Sequence, residues 1–234
     1  MAFHYSPNIT TDGLILYMDP ANTRSYTGTG VTWSNLAIVN DGLLSSVTYN
    51  STTKSFDTNV TFATESNNIS CVGITFSDTN EYTLDFWVKF RPGIPTSTIN
   101  TIFGYGISGT SIFTLNTTTA TSWQPTFQSQ TGGTQYYFTP INYDLTTNWG
   151  NITLVVKSNR NIDLYLNSVY KQTVITTNTS FSVNKIASGF NSGPPPTYYH
   201  ALQGSISATK IYNRALSLNE VERNYLSLKS RFGL

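Results

Sequence analysis

Tyr82-Thr83-Leu84-Asp85-Phe86-Trp87-Val88-Lys89-Phe90 is the stretch that decides the fold. Tyr82, Leu84, Phe86, Val88 and Phe90 alternate with Thr83, Asp85, Trp87 and Lys89. Successive side chains of a strand point to opposite faces, so this period of two predicts a half-buried strand with Thr83, Asp85, Trp87 and Lys89 on its outer face. The alternation recurs at Leu14, Leu16 and Met18, at Ile152, Leu154 and Val156, and at Ile162, Leu164 and Leu166. Shorter strand-like runs occupy 31–36, 56–62, 69–74, 99–103, 111–115, 136–139, 183–190 and 204–212. Many short strands separated by turn residues predict an all-β sandwich or barrel. The length of 234 residues suits one such domain.

Two local features are legible in detail. Ile162–Leu166 and the run from Val169 are separated by Asn167-Ser168 alone, which predicts a two-residue hairpin. Such loops favour type I′ turns, with positive φ at both positions, and Ser168 carries a small steric cost where glycine would carry none. The second feature is a C-terminal helix over 218–230. Ser217 and Glu220 form a capping box, Leu218, Val221, Tyr225 and Leu228 fall on one face, Lys229 and Arg231 lie at or just beyond the last turn, and Gly233 ends it. That apolar face is expected to pack on the sandwich.

Composition excludes several classes. Charged residues are 11% of the chain against about 25% in an ordinary domain, and Asn, Ser and Thr make up about a third. Four Trp, 15 Tyr and 13 Phe supply a core that a disordered chain lacks. The longest apolar run, 14–18, is far short of a membrane span. Thirteen basic against twelve acidic residues provide no basic stripe for nucleic acid. Met1–Ser6 carries neither a basic segment nor an apolar one, so no secretory signal is read there and synthesis in a cytoplasm is expected. Cys71, the lone cysteine, reads as a small core residue. Residues 1–12 precede the first clear strand and read as an N-terminal arm; 13–234 read as one domain. Ordering a short arm costs about 1–2 kcal/mol per residue in backbone entropy, so Phe3 and Tyr5 are expected to anchor it on a neighbouring subunit or particle surface, the alternative being an added edge strand.

Three stretches taken together resemble a known family. Gly13-Leu14-Ile15-Leu16-Tyr17-Met18-Asp19 continues through Asn22, Ser25-Tyr26, Gly28-Thr29-Gly30 and Trp33-Ser34-Asn35-Leu36. The second stretch is 82–89. The third is Asp163-Leu164-Tyr165-Leu166-Asn167-Ser168 followed by 204–212, Asn213-Arg214-Ala215-Leu216-Ser217 and the helix. The chain resembles the laminin-G-like branch of the concanavalin A-like lectin/glucanase superfamily, in the form found among tailed-phage virion proteins. The resemblance implies a jelly roll of two antiparallel sheets. It also implies a non-enzymatic virion surface protein, a capsid decoration or a head or tail fibre component, whose partners are other virion proteins or further copies of itself. A carbohydrate-binding module recognising a host surface glycan is the alternative. Ala37-Ile38-Val39-Asn40-Asp41 stands where the family carries a Gly/Asn-rich turn.

The superfamily also contains glucanases, and glycoside hydrolysis needs two carboxyl groups about 5–9.5 Å apart. The chain has four Glu, at 65, 81, 220 and 222. Glu81 and Asp85 stand roughly 13 Å apart along a strand, too far for either mechanism, and read as a solvated pair at a strand start. No catalytic residue and no cofactor is therefore expected. The resemblance implies one exception, a calcium at the sheet rim, for which Asp19, Asn22 and Asp41 are the oxygen ligands present. For glycan or subunit contact the candidates are Trp123, Tyr137, Tyr198, Tyr199 and His200. Tyr136 and Tyr137 are adjacent in a strand, so one ring points in and the other out.

Overall fold

The computed structural model describes residues 8–38, 41–58, 68–105, 111–191 and 198–234. In chain order the strands are β1 (Leu14–Met18), β2 (Thr32–Trp33), β3 (Gly42–Ser45), β4 (Thr48–Asn50), β5 (Ser55–Thr58), β6 (Asn68–Phe76), β7 (Tyr82–Phe90), β8 (Ile99–Gly104), β9 (Ile112–Thr117), β10 (Ser122–Gln128), β11 (Gln135–Tyr137), β12 (Ile141–Asn142), β13 (Gly150–Val156), β14 (Asn161–Leu166), β15 (Val169–Ile175), β16 (Phe181–Ile186), β17 (Ser188–Asn191), β18 (Tyr198–Ala201) and β19 (Gly204–Tyr212). Helix α1 (Leu218–Leu228) and a 3₁₀ turn (Lys229–Phe232) close the chain.

Two antiparallel sheets lie face to face. The first runs β15-β14-β13-β7-β19-β5-β4, with β1 also on β19. The second runs β11-β10-β9-β8-β16-β6-β3-β2, with β12 also on β10. Strand β7 sits at the centre of the first sheet, and its apolar face forms the middle of the core. Phe86 meets Phe103 and Phe113 of the other sheet edge-on at 5.4 and 5.9 Å, and Phe127 stacks on Phe181 at 5.0 Å. Aromatic pairs favour such tilted or offset contacts.

The expected hairpin forms: Leu166 faces Val169, and Asn167 and Ser168 have φ of 51° and 63°. Strand β19 lies so close to β7 that a Cβ at Gly204 would fall 2.1 Å from the Lys89 carbonyl oxygen. Five strands lie outside the runs read from the sequence, β3, β4, β10, β12 and β18, and β10, the longest of them, contains a proline. Pro125 sits inside β10, where a missing N–H ordinarily breaks the ladder. Here Thr126 pairs with Tyr137 of β11 and Trp123 with Ile141 of β12, so Pro125 falls in the gap between these two short strands.

The outer face of β7 corrects the sequence reading. Thr83, Asp85 and Trp87 are fully buried, not solvated. Helix α1 and the 3₁₀ turn lie over them and bury a second apolar layer. Trp87 stacks on Phe232 at 4.0 Å and on Tyr225 at 5.8 Å. The helix face also differs from the predicted one. Leu218 is 54% exposed, whereas Asn224, a polar residue outside the apolar pattern, is fully buried beside Val221. The capping residues behave as expected: Glu220 accepts the Ser217 N–H at 2.9 Å. Glu220 also takes Arg214 through two nitrogens, at 2.6 and 2.9 Å. That guanidinium holds the Glu220 carboxyl down to about 2.

Candidate functional site

The two outward sheet faces have opposite chemistry. On the helix-covered face, Asp85 is a hub. Its Oδ1 accepts Lys210 Nζ and Asn151 Nδ2, each at 2.9 Å, and its Oδ2 accepts Asn224 Nδ2 at 3.3 Å. The side chains of Asp85 and Lys210 are wholly shielded from solvent. Register explains the meeting, because Lys210 of β19 and Thr153 of β13 lie directly opposite Asp85 on its two sides. Asn224 Oδ1 accepts the Thr10 N–H at 2.9 Å, and the Tyr212 hydroxyl donates to the Thr10 carbonyl at 3.0 Å. Burial, then the Asp85 charge, pushes the Tyr212 hydroxyl well above the usual phenol range. Asp12 of the same segment pairs with Arg214 at 2.9 Å. The last residues of the expected arm are thus fastened to this face. Phe3 and Tyr5 lie outside the described residues.

This arrangement bears on carboxylate chemistry. Asp85 has no route to solvent in the structure, and Glu81 accepts the Ser158 hydroxyl at 3.0 Å at the surface. The solvated Glu81–Asp85 pair read from the sequence is therefore replaced by one surface carboxylate and one buried ion pair. Among the described strands, Asp57 and Asp163 are the other carboxylates. Asp57 accepts Ser205 Oγ at 2.6 Å and Asp163 is paired with Lys157 at 2.6 Å.

The outward face of the second sheet carries no Asp or Glu on any described strand. Its cross-strand register aligns Tyr137, Thr126, Thr114 and Thr101 in one row, with Gln135, Gln128 and Ile112 in the next. Directly opposed residues of antiparallel strands share a face, and the alternate positions Phe127 and Phe113 point into the core. Tyr137 is 57% exposed and its hydroxyl donates to Gln135 Oε1. Gln135 Nε2 donates in turn to Gln128 Oε1 at 2.9 Å. Asn116 Nδ2 donates to Thr126 Oγ1 at 3.2 Å, and Gln124 Nε2 to the Phe138 carbonyl at 2.8 Å. The face therefore presents the fixed amides of Gln124, Gln128 and Gln135 around one open aromatic ring, whereas Thr126, Thr114 and Thr101 of the row are buried. Tyr136, its neighbour, is half-buried against Phe127 and its hydroxyl lies 2.7 Å from Thr177 Oγ1.

The remaining expected site residues separate. Trp123 is not available for contact: it is buried in the core and its Nε1 donates to the Tyr143 carbonyl at 3.1 Å. Tyr198, Tyr199 and His200 form β18, opposite Asn191, Phe190 and Gly189 of β17, and this ribbon packs against β8. Their side chains lie outside the described ones. Asp19 is buried, with Oδ1 accepting Arg231 at 2.7 Å and the Ala21 N–H at 3.0 Å, and Oδ2 accepting the Tyr17 hydroxyl at 3.0 Å. Asn22 Oδ1 accepts the Arg24 N–H and Asp41 Oδ1 the Asn35 N–H. Among the described residues, no three His, Cys, Asp or Glu side chains gather where they could hold a metal. Cys71 packs half-buried against the core edge, and desolvation pushes its thiol up to about 12.

A laminin-G-type model described as the concanavalin A-like lectin/glucanases superfamily matches residues 57–222, and the chain belongs to this superfamily. No curated protein matches the sequence. Among solved structures, the chain is similar to a botulinum neurotoxin serotype D ligand-binding domain in complex with N-acetylneuraminic acid (13% identity, 92% of this chain and 51% of that one, TM-score 0.65). It is also similar to the botulinum neurotoxin type G receptor-binding domain (16%, 92% and 51%, 0.60). A third is the binding domain of Paraclostridial Mosquitocidal Protein 1 (13%, 92% and 52%, 0.60). The chain spans about half the length of each, and at these identities the likeness is one of fold.

Proposed function

We propose that this chain is a non-enzymatic recognition and assembly domain displayed on a tailed-phage particle, as a capsid decoration or a head or tail fibre component. The observation that carries the non-enzymatic part is the sheet face without a carboxylate, paired with an opposite face whose one central carboxylate is sealed in an ion pair. A retaining or inverting hydrolase needs two carboxyl groups facing a sugar. The virion setting is supported by the resemblance of residues 13–36, 82–89, 163–168 and 204–217 to phage virion domains. In this reading the protein is made in the host cytoplasm and ends on the virion surface. Its partners are neighbouring virion proteins or further copies of itself, and Phe3 and Tyr5 help hold it there. It acts on neither nucleic acid nor membrane.

Two measurements test the proposal. Purified protein is expected to release no reducing ends from β-glucans or host surface polysaccharide; turnover lost on Asp57→Asn or Glu81→Gln overturns the non-enzymatic part. Mass spectrometry of purified particles is expected to find the chain in many copies, and its absence overturns the virion part. Calcium has no role in this reading, because both oxygens of Asp19 already accept hydrogen bonds. Chelation is expected to leave the melting temperature unchanged.

A second reading, host glycan recognition, is favoured by the open face itself. An exposed tyrosine beside immobilised amides matches the amphipathic surface of a sugar ring, and one structural neighbour holds a sialic acid. A glycan array probed with the intact protein and with Tyr137→Ala separates this from protein contact alone.

A further inference from the structure

The Asp85 hub has a chemical property that packing alone does not require. Lys210, Asp85 and Asn151 are each fully buried, on three neighbouring strands of one sheet. The amine and the carboxamide both touch the same carboxylate oxygen at 2.9 Å. Their two nitrogens therefore lie no more than twice that distance apart. The Asn151 Nδ2 also donates to the Phe86 carbonyl at 3.3 Å, while its Oδ1 has no hydrogen-bond partner. Asn224, the other amide on Asp85, differs: its carbonyl oxygen is already taken by the Thr10 N–H.

A nucleophilic amine, a primary amide and a carboxyl group held together in a dry site are the parts of an acyl transfer. We infer that Lys210 and Asn151 are placed to join in an intramolecular isopeptide bond, with Asp85 relaying the protons. Two opposite charges withdrawn from water are costly, and moving one proton from Lys210 to Asp85 across their contact removes both. The free Nζ lone pair then attacks Asn151 Cγ. Asn151 Nδ2 already stands 2.9 Å from Asp85 Oδ1, so the protonated carboxyl group faces the nitrogen that must leave. A proton passes from the attacking nitrogen through Asp85 to the departing Nδ2. The Cγ–Nδ2 bond breaks, the carbonyl re-forms and ammonia leaves.

The protons balance. Of the three on the Lys210 ammonium, one stays on the new amide nitrogen, one leaves in the ammonia and one remains on Asp85. No oxidant, metal or cofactor enters. Fixed proximity is what makes an amide, ordinarily inert to amines, an adequate electrophile. The product ties β13 to β19 across β7, beneath the helix.

Intact-mass measurement of the purified full chain after overnight incubation tests this directly. The wild type is expected to be lighter than its sequence mass by one ammonia, and proteolysis is expected to yield a branched peptide joining the segments around residues 151 and 210. Lys210→Met and Asp85→Asn are expected to keep the full mass. A wild type at full sequence mass overturns the inference without requiring any variant to fold. A loss of ammonia that persists in Lys210→Met also overturns it, since that mass belongs to a cyclised asparagine.

Discussion

The outward faces of the two sheets are built from the same strand architecture and put to opposite uses. The first sheet carries Thr83, Asp85, Trp87 and Lys210 outward and then hides them beneath α1, Phe232 and the Thr10–Asp12 segment. The second carries Thr, Asn, Gln and Tyr137 outward and leaves the amides around Tyr137 accessible. Covering a face leaves the polar groups beneath it to find partners among themselves, and the Asp85 hub gathers Lys210, Asn151 and Asn224, while Asn151 Oδ1, Trp87 Nε1 and Thr153 Oγ1 stay without one. A face left open needs no such closure, and its amides fix one another in place while remaining free to meet a ligand. Stability should therefore reside on one side of the molecule and recognition on the other.

Removing 218–234 is the harshest way to break this contrast. It uncovers Trp87, Trp149 and the Asp85–Lys210 pair and discards Val221, Tyr225, Leu228 and Phe232. At roughly 1.5–3 kcal/mol per large apolar side chain, the loss approaches the whole stability of a typical domain. The truncated protein is expected to aggregate or to melt far lower in calorimetry. Melting like the intact chain would mean that the helix is a detachable docking element.

Trp87→Ala asks the same question with one residue. It empties the stack on Phe232 and is expected to cost about 3–5 kcal/mol in denaturant unfolding. A loss below about 1 kcal/mol would show that the covered face is loosely packed.

The helix start has a smaller, pH-dependent share. Glu220 sits at about 2 in the folded protein, below its ordinary 4.5, because Arg214 and the Ser217 N–H favour the carboxylate. A lowered folded value means that the contribution is complete above the ordinary value and is lost as pH falls toward about 2. Glu220→Gln is expected to cost about 1 kcal/mol at neutral pH, or roughly 2–4 °C in melting temperature. Near pH 2 it is expected to cost almost nothing, and an equal cost at both pH values would assign the effect to packing.

Tyr137→Ala completes the comparison from the open side. An exposed residue away from packed features usually changes stability by less than about 0.5 kcal/mol. The melting temperature is expected to stay put while glycan or subunit binding falls, as surface plasmon resonance would read it. A large drop in melting temperature with binding intact would exchange the roles proposed for the two faces.

By itself the sequence determined whatever depends on neighbours along the chain. Period-two alternation marked β7, β13 and β14, Asn167-Ser168 marked the hairpin, and Ser217 with Glu220 marked the helix start, because side-chain direction, turn geometry and end-capping are local. It told for the same reason that one ring of the Tyr136–Tyr137 pair faces outward, and the structure assigns that place to Tyr137. Only the tertiary structure decided what lay over each face. Asp85 looked solvated because alternation tells which residues share a side of a strand, not what packs on that side. Helical spacing puts Asn224 on the face of Val221 and Leu228, but nothing along the chain could reveal that this polar residue meets Asp85, 139 residues away. Trp123 and Tyr137, both aromatic and both in strands, parted company through register: Trp123 aligns with the inward row and Tyr137 with the outward one. Register is a relation between strands distant in the chain, set by the summed burial of a whole face, and no short stretch of residues contains it.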